Sequence, residues 1–148
     1  MPLEVEKVVC YVLQDGHVLV FTHDTIPLTT TGVQVPAGTI ESGEAAARAA
    51  ERELSEETGR SGRVVKSLGV ERYDMRPLRD EIAVRHFFLM SMEQADTDDR
   101  WVAGERFRSD GGDDLTWTCW WMPLRDAHVL AGGLGARIGA AAVNDVSC

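Results

Sequence analysis

Glu44, Arg52, Glu53, Glu56 and Glu57 stand close together in one stretch, Gly38-Thr-Ile-Glu-Ser-Gly-Glu44 followed after seven residues by Arg52-Glu53-Leu54-Ser-Glu56-Glu57-Thr-Gly59. On a helix, Glu53 lies one turn before Glu56 and Glu57, so the three carboxylates share a face. Like charges one turn apart are mildly destabilising, and the arrangement calls for something positive among them. An all-oxygen set suits a hard divalent ion, Mg²⁺ or Mn²⁺, which also grips phosphate oxygens. The plainer alternative for a lone Glu-x-x-Glu-Glu is a solvated acidic helix face.

A helix must carry these acids. Residues 44 to 58 contain neither Gly nor Pro and are rich in Ala, Glu, Arg and Leu, which predicts a helix over 44–58. Ser42 is the expected N-cap, and Glu44 places negative charge in the first turn. Gly59 suits the left-handed position just past the end. Ala47, Ala50 and Leu54 form a narrow apolar stripe that would let the helix sit close to a sheet. Glu44, Arg48, Glu51 and Ser55 fall on roughly the opposite side.

Strands must form that sheet. Val5 to Leu13 and His17 to Thr22 read as a hairpin around Asp15-Gly16. Val33-Gln34-Val35 is a short strand leading into Pro36-Ala37-Gly38. Val64 to Tyr73 is a strand in which Gly69 marks a bulge. Glu81 to Met92 is the longest strand expected, residues 94 to 114 a loop, and Leu115 to Met122 an aromatic strand. Leu124 to Val143 reads as two short helical pieces broken by Gly132, Gly133 and Gly135. A helix among strands suggests an α/β fold, a mixed sheet with helices on its faces.

The chain has 148 residues, 44% of them apolar and 26% charged, which fits one domain, residues 1–148. No apolar run approaches membrane-spanning length, and the N-terminus does not read as a secretory signal. Cys10, Cys119 and Cys148 have no zinc or disulfide spacing; the expectation is reduced thiols in a cytoplasmic protein, with Cys10 and Cys119 buried in strands. A net charge of −9 argues against binding a nucleic-acid polymer. It also makes a polyanionic small molecule hard to hold without metal.

The stretch resembles the Nudix box: Gly, five residues, Glu, seven residues, Arg-Glu-hydrophobic-any-Glu-Glu-any-Gly-hydrophobic. Gly38, Glu44, Arg52, Glu53, Leu54, Glu56, Glu57 and Gly59 match it, and Arg60 replaces the final hydrophobic residue. The resemblance implies a Nudix α/β/α sandwich with a mixed β-sheet. It implies metal-dependent hydrolysis of a nucleoside diphosphate linked to another moiety, of the ADP-ribose, nucleotide-sugar or (d)NTP type. The alternative is a non-catalytic Nudix domain that binds a nucleotide or a protein. By resemblance, Glu53, Glu56 and Glu57, with the Gly38 carbonyl, hold Mg²⁺ or Mn²⁺, and Glu56 binds a second ion or acts as the base. Arg52 and Glu44 pair to hold the loop against the helix; the other reading of Arg52 is a surface salt bridge to Glu56. The family also implies a possible homodimer. For Arg60, the aliphatic stem is expected to pack while the charge reaches water.

Substrate choice lies outside the box. Arg85, unusual inside a strand, could meet a substrate phosphate, or pair with Glu81 or Glu71 across strands. Glu81 belongs to the same candidate substrate set. His86, on the largely apolar face of that strand, reads as a core histidine. Loop 94–114 is rich in acids, and Glu105 is the first candidate there for a late-loop base. Trp101 and Phe107 could stack on a nucleobase. Trp117 and Trp121 share a face of the last strand and Trp120 takes the other, chiefly as core packing. Pro77 tilts the resemblance toward ADP-ribose, and Tyr73 lies too early for the dinucleoside-polyphosphate marker.

Overall fold

A computed structural model describes residues 2–24, 28, 32–105 and 115–144, with Glu105 and Leu115 described by backbone alone. In chain order the elements are β1 (Leu3–Gln14), β2 (His17–His23), β3 (Ala37–Thr39), α1 (Ala46–Thr58), β4 (Gly62–Asp74), β5 (Glu81–Met92), β6 (Trp101–Glu105), β7 (Leu115–Pro123), a 3₁₀ turn (Leu124–Val129) and α2 (Ile138–Val143). The sheet runs β4-β5-β1-β2-β7-β6, with β3 also on β1. β1 and β5 are parallel and the other pairs antiparallel. This is the mixed sheet between helices that the sequence suggests.

β1 is the axis of the molecule. Val8 through Leu13 are all buried, as expected for a strand covered on both faces. Val8, Cys10 and Val12 point to the α1 side, where they meet Ala49, Ala50, Leu54, Phe88 and Met90. Val9, Tyr11 and Leu13 point the other way, into a core closed by the 3₁₀ turn and α2. Along one edge β1 changes partner. Lys7 to Val9 pair with β3, while Leu13 and Gln14 pair with β2 through a turn in which Asp15 and Gly16 both have positive φ. β2 leaves to join β7. The segment before β3 sits in the resulting gap, bonded to Phe21 through Gln34 and to Cys10 through Pro36.

That crossing corrects the expected strand at 33–35. Its residues form only isolated bridges, Phe21 to Gln34 and Val33 to Leu130. Each short piece meets a different neighbour, so no ladder develops there, and the strand forms at 37–39 instead. The expected loop 94–114 contains β6, where Trp101 and Ala103 pack toward α1 and Val102 is exposed. The acidic surroundings and Gly104 hide this short alternation. β4, with 13 residues, is longer than β5, with 12. Gly69 does mark a bulge, with a second irregularity between Val64 and Lys66.

α1 starts later than its composition predicts. Its N-cap is Ala45, in extended conformation with no side-chain cap, so Ser42 is not the cap and Glu44 lies before the first turn. Glu44 is engaged by Arg52 and the Glu41 amide, which holds the chain in the loop. The buried ridge follows every fourth residue, Ala46, Ala50, Leu54 and Thr58, with Ala49 beside it. Ala47 falls off that ridge and is exposed. Small residues on an i+4 ridge bring the helix close to the sheet.

Candidate active site

The front of α1 is tied to the loop by charge. Arg52 donates from Nε and Nη2 to the two Glu44 oxygens, each at 2.8 Å. Nη2 also reaches the Thr39 carbonyl at 3.1 Å, and Nη1 reaches Glu53 at 2.9 Å and Glu56 at 3.3 Å. Both contacts considered for Arg52, to Glu44 and to Glu56, are therefore present, and the bidentate one has the stronger geometry. Arg52 holds the Glu44 carboxyl down at about 2, with help from the Glu41 amide, and Glu44 in turn holds Arg52 above its usual range.

Glu57 faces the opposite electrostatic situation. Burial pushes its carboxyl well above the usual range. The Ala37 amide, 3.2 Å from Oε1, offsets part of this, and the Glu53 carboxyl at hydrogen-bonding range adds to the rise, followed by Glu56. Gly38 forms the wall behind this pair. A Cβ there would stand 2.0 Å from Cδ of Glu53, a distance no side chain tolerates. The loop thus needs Gly38 so that backbone and carboxylate can approach closely.

Charge and chemistry fit a hard cation. Four box glutamates face one arginine, the donors are all oxygens, and two half-buried acids are crowded together. Among the described residues no three acidic, His or Cys side chains converge as a ready metal cluster. Arg52 draws Glu53 and Glu56 toward itself, while Glu57 turns to the Ala37 amide.

The carbonyls at the rear of α1 are bonded by neutral donors. Trp117, on β7, donates its indole N–H to the Glu57 carbonyl at 2.6 Å, and Trp101, on β6, donates to the Thr58 carbonyl at 2.7 Å. The Thr58 hydroxyl donates to the Leu54 carbonyl at 2.7 Å, and the Gly59 amide, at φ 71°, closes on Ser55 at 2.8 Å. The Ser55, Glu57 and Thr58 carbonyls, among those a helix end leaves unpaired, are thus satisfied. Arg60 lies flat over the Trp101 ring, 3.4 Å from its centroid, and pairs with Asp99 at 3.0 Å. Its charge goes to the ring and the carboxylate, where the expectation was water. A planar cation here covers the indole as an apolar side chain would.

The substrate candidates are spread out. Arg85 is 8% exposed and sits on the face away from α1, stacked 4.5 Å from the Tyr73 ring centroid and donating to the Gly132 carbonyl. Burial lowers its pKa. Neither expected carboxylate takes it. Glu71 pairs with Arg137 at 2.8 Å, and Glu81 lies 4.0 Å from Lys7 and 3.7 Å from Arg79. His86 is not a core histidine. α1 covers Phe88 and Met90, and His86, nearer the start of β5, is half-exposed with Nε2 2.6 Å from Glu6. The Glu105 side chain and Phe107 lie outside the described residues. Trp101 and Trp117 are engaged at α1, whereas Trp120 packs on the opposite face. Cys10 and Cys119 are buried free thiols, each raised by burial, Cys119 to about 12. Sequence reasoning left out Lys7 and Thr39, and it missed the part played by the Ala37 amide and by the Trp101 and Trp117 indoles at the end of α1. The backbone groups carry no sequence signal, and period two set only the face of Trp117.

The chain matches the NUDIX domain family over residues 4–138 and belongs to it. Its fold is similar to a UDP-X diphosphatase (TM-score 0.66, 12% identity), covering 95% of this chain and 62% of that one, so the chain spans less than two thirds of that protein. It is similar to a NUDIX hydrolase from Nitrosomonas europaea (TM-score 0.66, 18% identity, 95% of this chain and 88% of that one). It is also similar to an ADP-ribose pyrophosphatase from Streptococcus suis 89-1591 (TM-score 0.63, 12% identity, 96% and 93%). No curated protein matches the chain at the sequence level. No helix among the described residues is long and apolar enough to cross a membrane.

Proposed function

We propose that this chain is a Mg²⁺- or Mn²⁺-dependent pyrophosphohydrolase that cleaves the anhydride of a nucleoside diphosphate linked to another moiety. The observation that carries the reading is the crowded Glu53–Glu57 pair beside Gly38, with Glu57 half-buried and its carboxyl pushed up. Glu53, Glu56 and Glu57, with the Gly38 carbonyl, would hold the ion. Such an ion supplies neutralisation of the pyrophosphate charge and acidification of the attacking water. Glu56, whose side chain is 59% exposed, is the acid best placed to accept that water's proton. Arg52 and Glu44 fix the loop that carries Gly38.

Recognition of the rest of the substrate falls to the other side of β1. Arg85 aligns across the sheet with Lys7, and Lys7 with Thr39. Arg85 lies two strand spacings from β3, roughly 10 Å along the sheet, but on the face away from α1, so it is a candidate only for a part of the substrate that reaches round to that face. Arg85 has no carboxylate at ion-pair distance among the described residues, and its buried guanidinium favours an anion. The proposed substrates are ADP-ribose or nucleotide sugars first, supported by the names of two similar structures, and (d)NTPs second. Glu81 and Glu105 stay in the candidate set.

A panel of nucleoside diphosphate sugars, (d)NTPs, dinucleoside polyphosphates and CoA, with Mg²⁺ or Mn²⁺ and a phosphatase to release phosphate, tests this directly. The expected result is metal-dependent turnover of at least one class. Two monophosphates as products identify an ADP-sugar, and pyrophosphate with a monophosphate identifies an NTP. Tight nucleotide binding without turnover at any metal concentration would replace the proposal with a binding domain.

A further inference from the structure

Glu57 is fixed at both ends. Its carboxylate accepts the Ala37 amide at 3.2 Å, and its backbone carbonyl accepts the Trp117 indole at 2.6 Å. One residue further on, the Thr58 carbonyl accepts Trp101 at 2.7 Å. The two indoles come from adjacent antiparallel strands, β6 and β7, so the last turn of α1 is set against a rigid pair of strands. Each ring is held in turn. Trp101 lies under Arg60, which Asp99 anchors. Trp117 packs between Phe21 and His23, with ring centroids at 5.7 and 5.6 Å.

From this arrangement we infer that Trp117 and Trp101 are positioning residues for the proposed metal site, an inference that rests on the reading of Glu57 as a ligand. A helix whose terminal carbonyls are tied to side chains cannot slide or rotate along its axis without breaking those bonds. The Glu57 carboxylate stands on that last turn and must meet a loop held independently by Arg52. A small rotation of the turn would carry Glu57 away from the Ala37 amide and from Glu53. The indoles therefore act on the site through the helix backbone and touch no substrate. The outer contacts of a metal site commonly tune its affinity in this way.

The test uses Phe, which keeps most of the ring and removes the N–H donor. Mn²⁺ binding is measured directly, by electron paramagnetic resonance of the free ion, on wild type, Trp117→Phe, Trp101→Phe, Trp120→Phe and Glu57→Gln, with thermal melts alongside. The expected result is that Trp117→Phe weakens Mn²⁺ binding by roughly tenfold, Trp101→Phe by less, and Trp120→Phe not at all, since Trp120 packs on the other face. At saturating metal the substrate KM should stay within about twofold of wild type while kcat falls. Unchanged Mn²⁺ affinity in a folded Trp117→Phe, with Glu57→Gln still losing binding, would overturn the positioning role alone. Failure of wild type to bind Mn²⁺ would overturn the metal site together with it. If Trp117→Phe does not fold, Trp101→Phe decides, and unchanged affinity there has the same consequence.

Discussion

The two ends of α1 are fastened by opposite means. At the front, Arg52 gathers Glu44, Glu53 and Glu56 in a half-exposed network, while Glu57 lies half-buried beside it. At the rear, two neutral indoles satisfy terminal carbonyls, and the Thr58 hydroxyl bonds back to Leu54 within the helix. The front is crowded with like charge and the rear is relaxed. A site that must exchange a cation and a polyanion needs groups whose charge is unsatisfied without them. A scaffold that must not move needs partners complete in themselves. The same helix serves both needs because they fall on different turns and different chemical groups.

The largest effect is expected from breaking the front alone. Glu57→Gln keeps the size of the side chain and removes the negative charge, so turnover should fall on the order of 10²–10³-fold or more. The melting temperature in chelator should hold or rise, because a neutral amide relieves the crowding with Glu53. Full metal-dependent activity in this variant would remove Glu57 from the site. Gly38→Ala should come next. Its Cβ would overlap the Glu53 carboxylate at 2.0 Å, forcing loop and helix apart, and activity should drop by about 10–100-fold with the fold retained. A melting temperature lowered by many degrees would instead show that Gly38 holds the fold as a whole.

The contrast between the two ends explains what could be read from sequence. Side-chain charge at set spacing is visible in a string of letters, so Glu44, Arg52, Glu53, Glu56, Glu57 and the glycine beside them stand out, and the resemblance they carry to the Nudix box implies the reaction class. The rear is built from tertiary contacts between backbone carbonyls and indoles some 43 and 60 residues away, and no local pattern announces them. Strand alternation placed Trp117 on the correct face but could not say that a helix end lies under it. Arg60 read as a departure from the box, and only the Trp101 ring above Thr58 gives that departure a purpose. Arg85 was legible as an oddity, a cation inside a strand. Glu71 pairs with Arg137 instead, and Glu81 lies nearer Lys7 and Arg79.

A third experiment separates the ends by pH. Folding raises the Glu57 carboxyl from 4.5 to about 9. A group raised in this way contributes stability that is fully present below its unfolded value and is lost as pH climbs through the folded one. In chelator, the melting temperature should therefore fall between about pH 5 and about pH 9, by a few degrees for each kcal/mol in a chain of this size. Glu57→Gln should flatten that slope, as should Mg²⁺ in excess. The neutral rear contributes nothing to it. A slope unchanged by Glu57→Gln would assign the pH dependence to other groups.

The smallest effect sharpens the rear. Trp121 lies two residues past Cys119 on the α1 side of β7, 3% exposed, and its indole nitrogen is buried without a hydrogen-bond partner among the described residues. It is the counterexample to Trp117 within one strand, a ring of the same chemistry that caps nothing. Removing a buried donor that has no acceptor leaves no orphaned partner and lifts a desolvation cost. The smaller ring of Trp121→Phe gives some of that back as lost packing. The two terms oppose each other at about 1–3 kcal/mol each, so the net change in stability should stay within about 1 kcal/mol. Trp117→Phe loses both packing and a bonded carbonyl and should be the more destabilising of the pair in chemical denaturation. If Trp121→Phe proved the more damaging, the rear would be held by ring packing rather than by indole hydrogen bonds, and the opposition between the two ends of α1 would lose its basis.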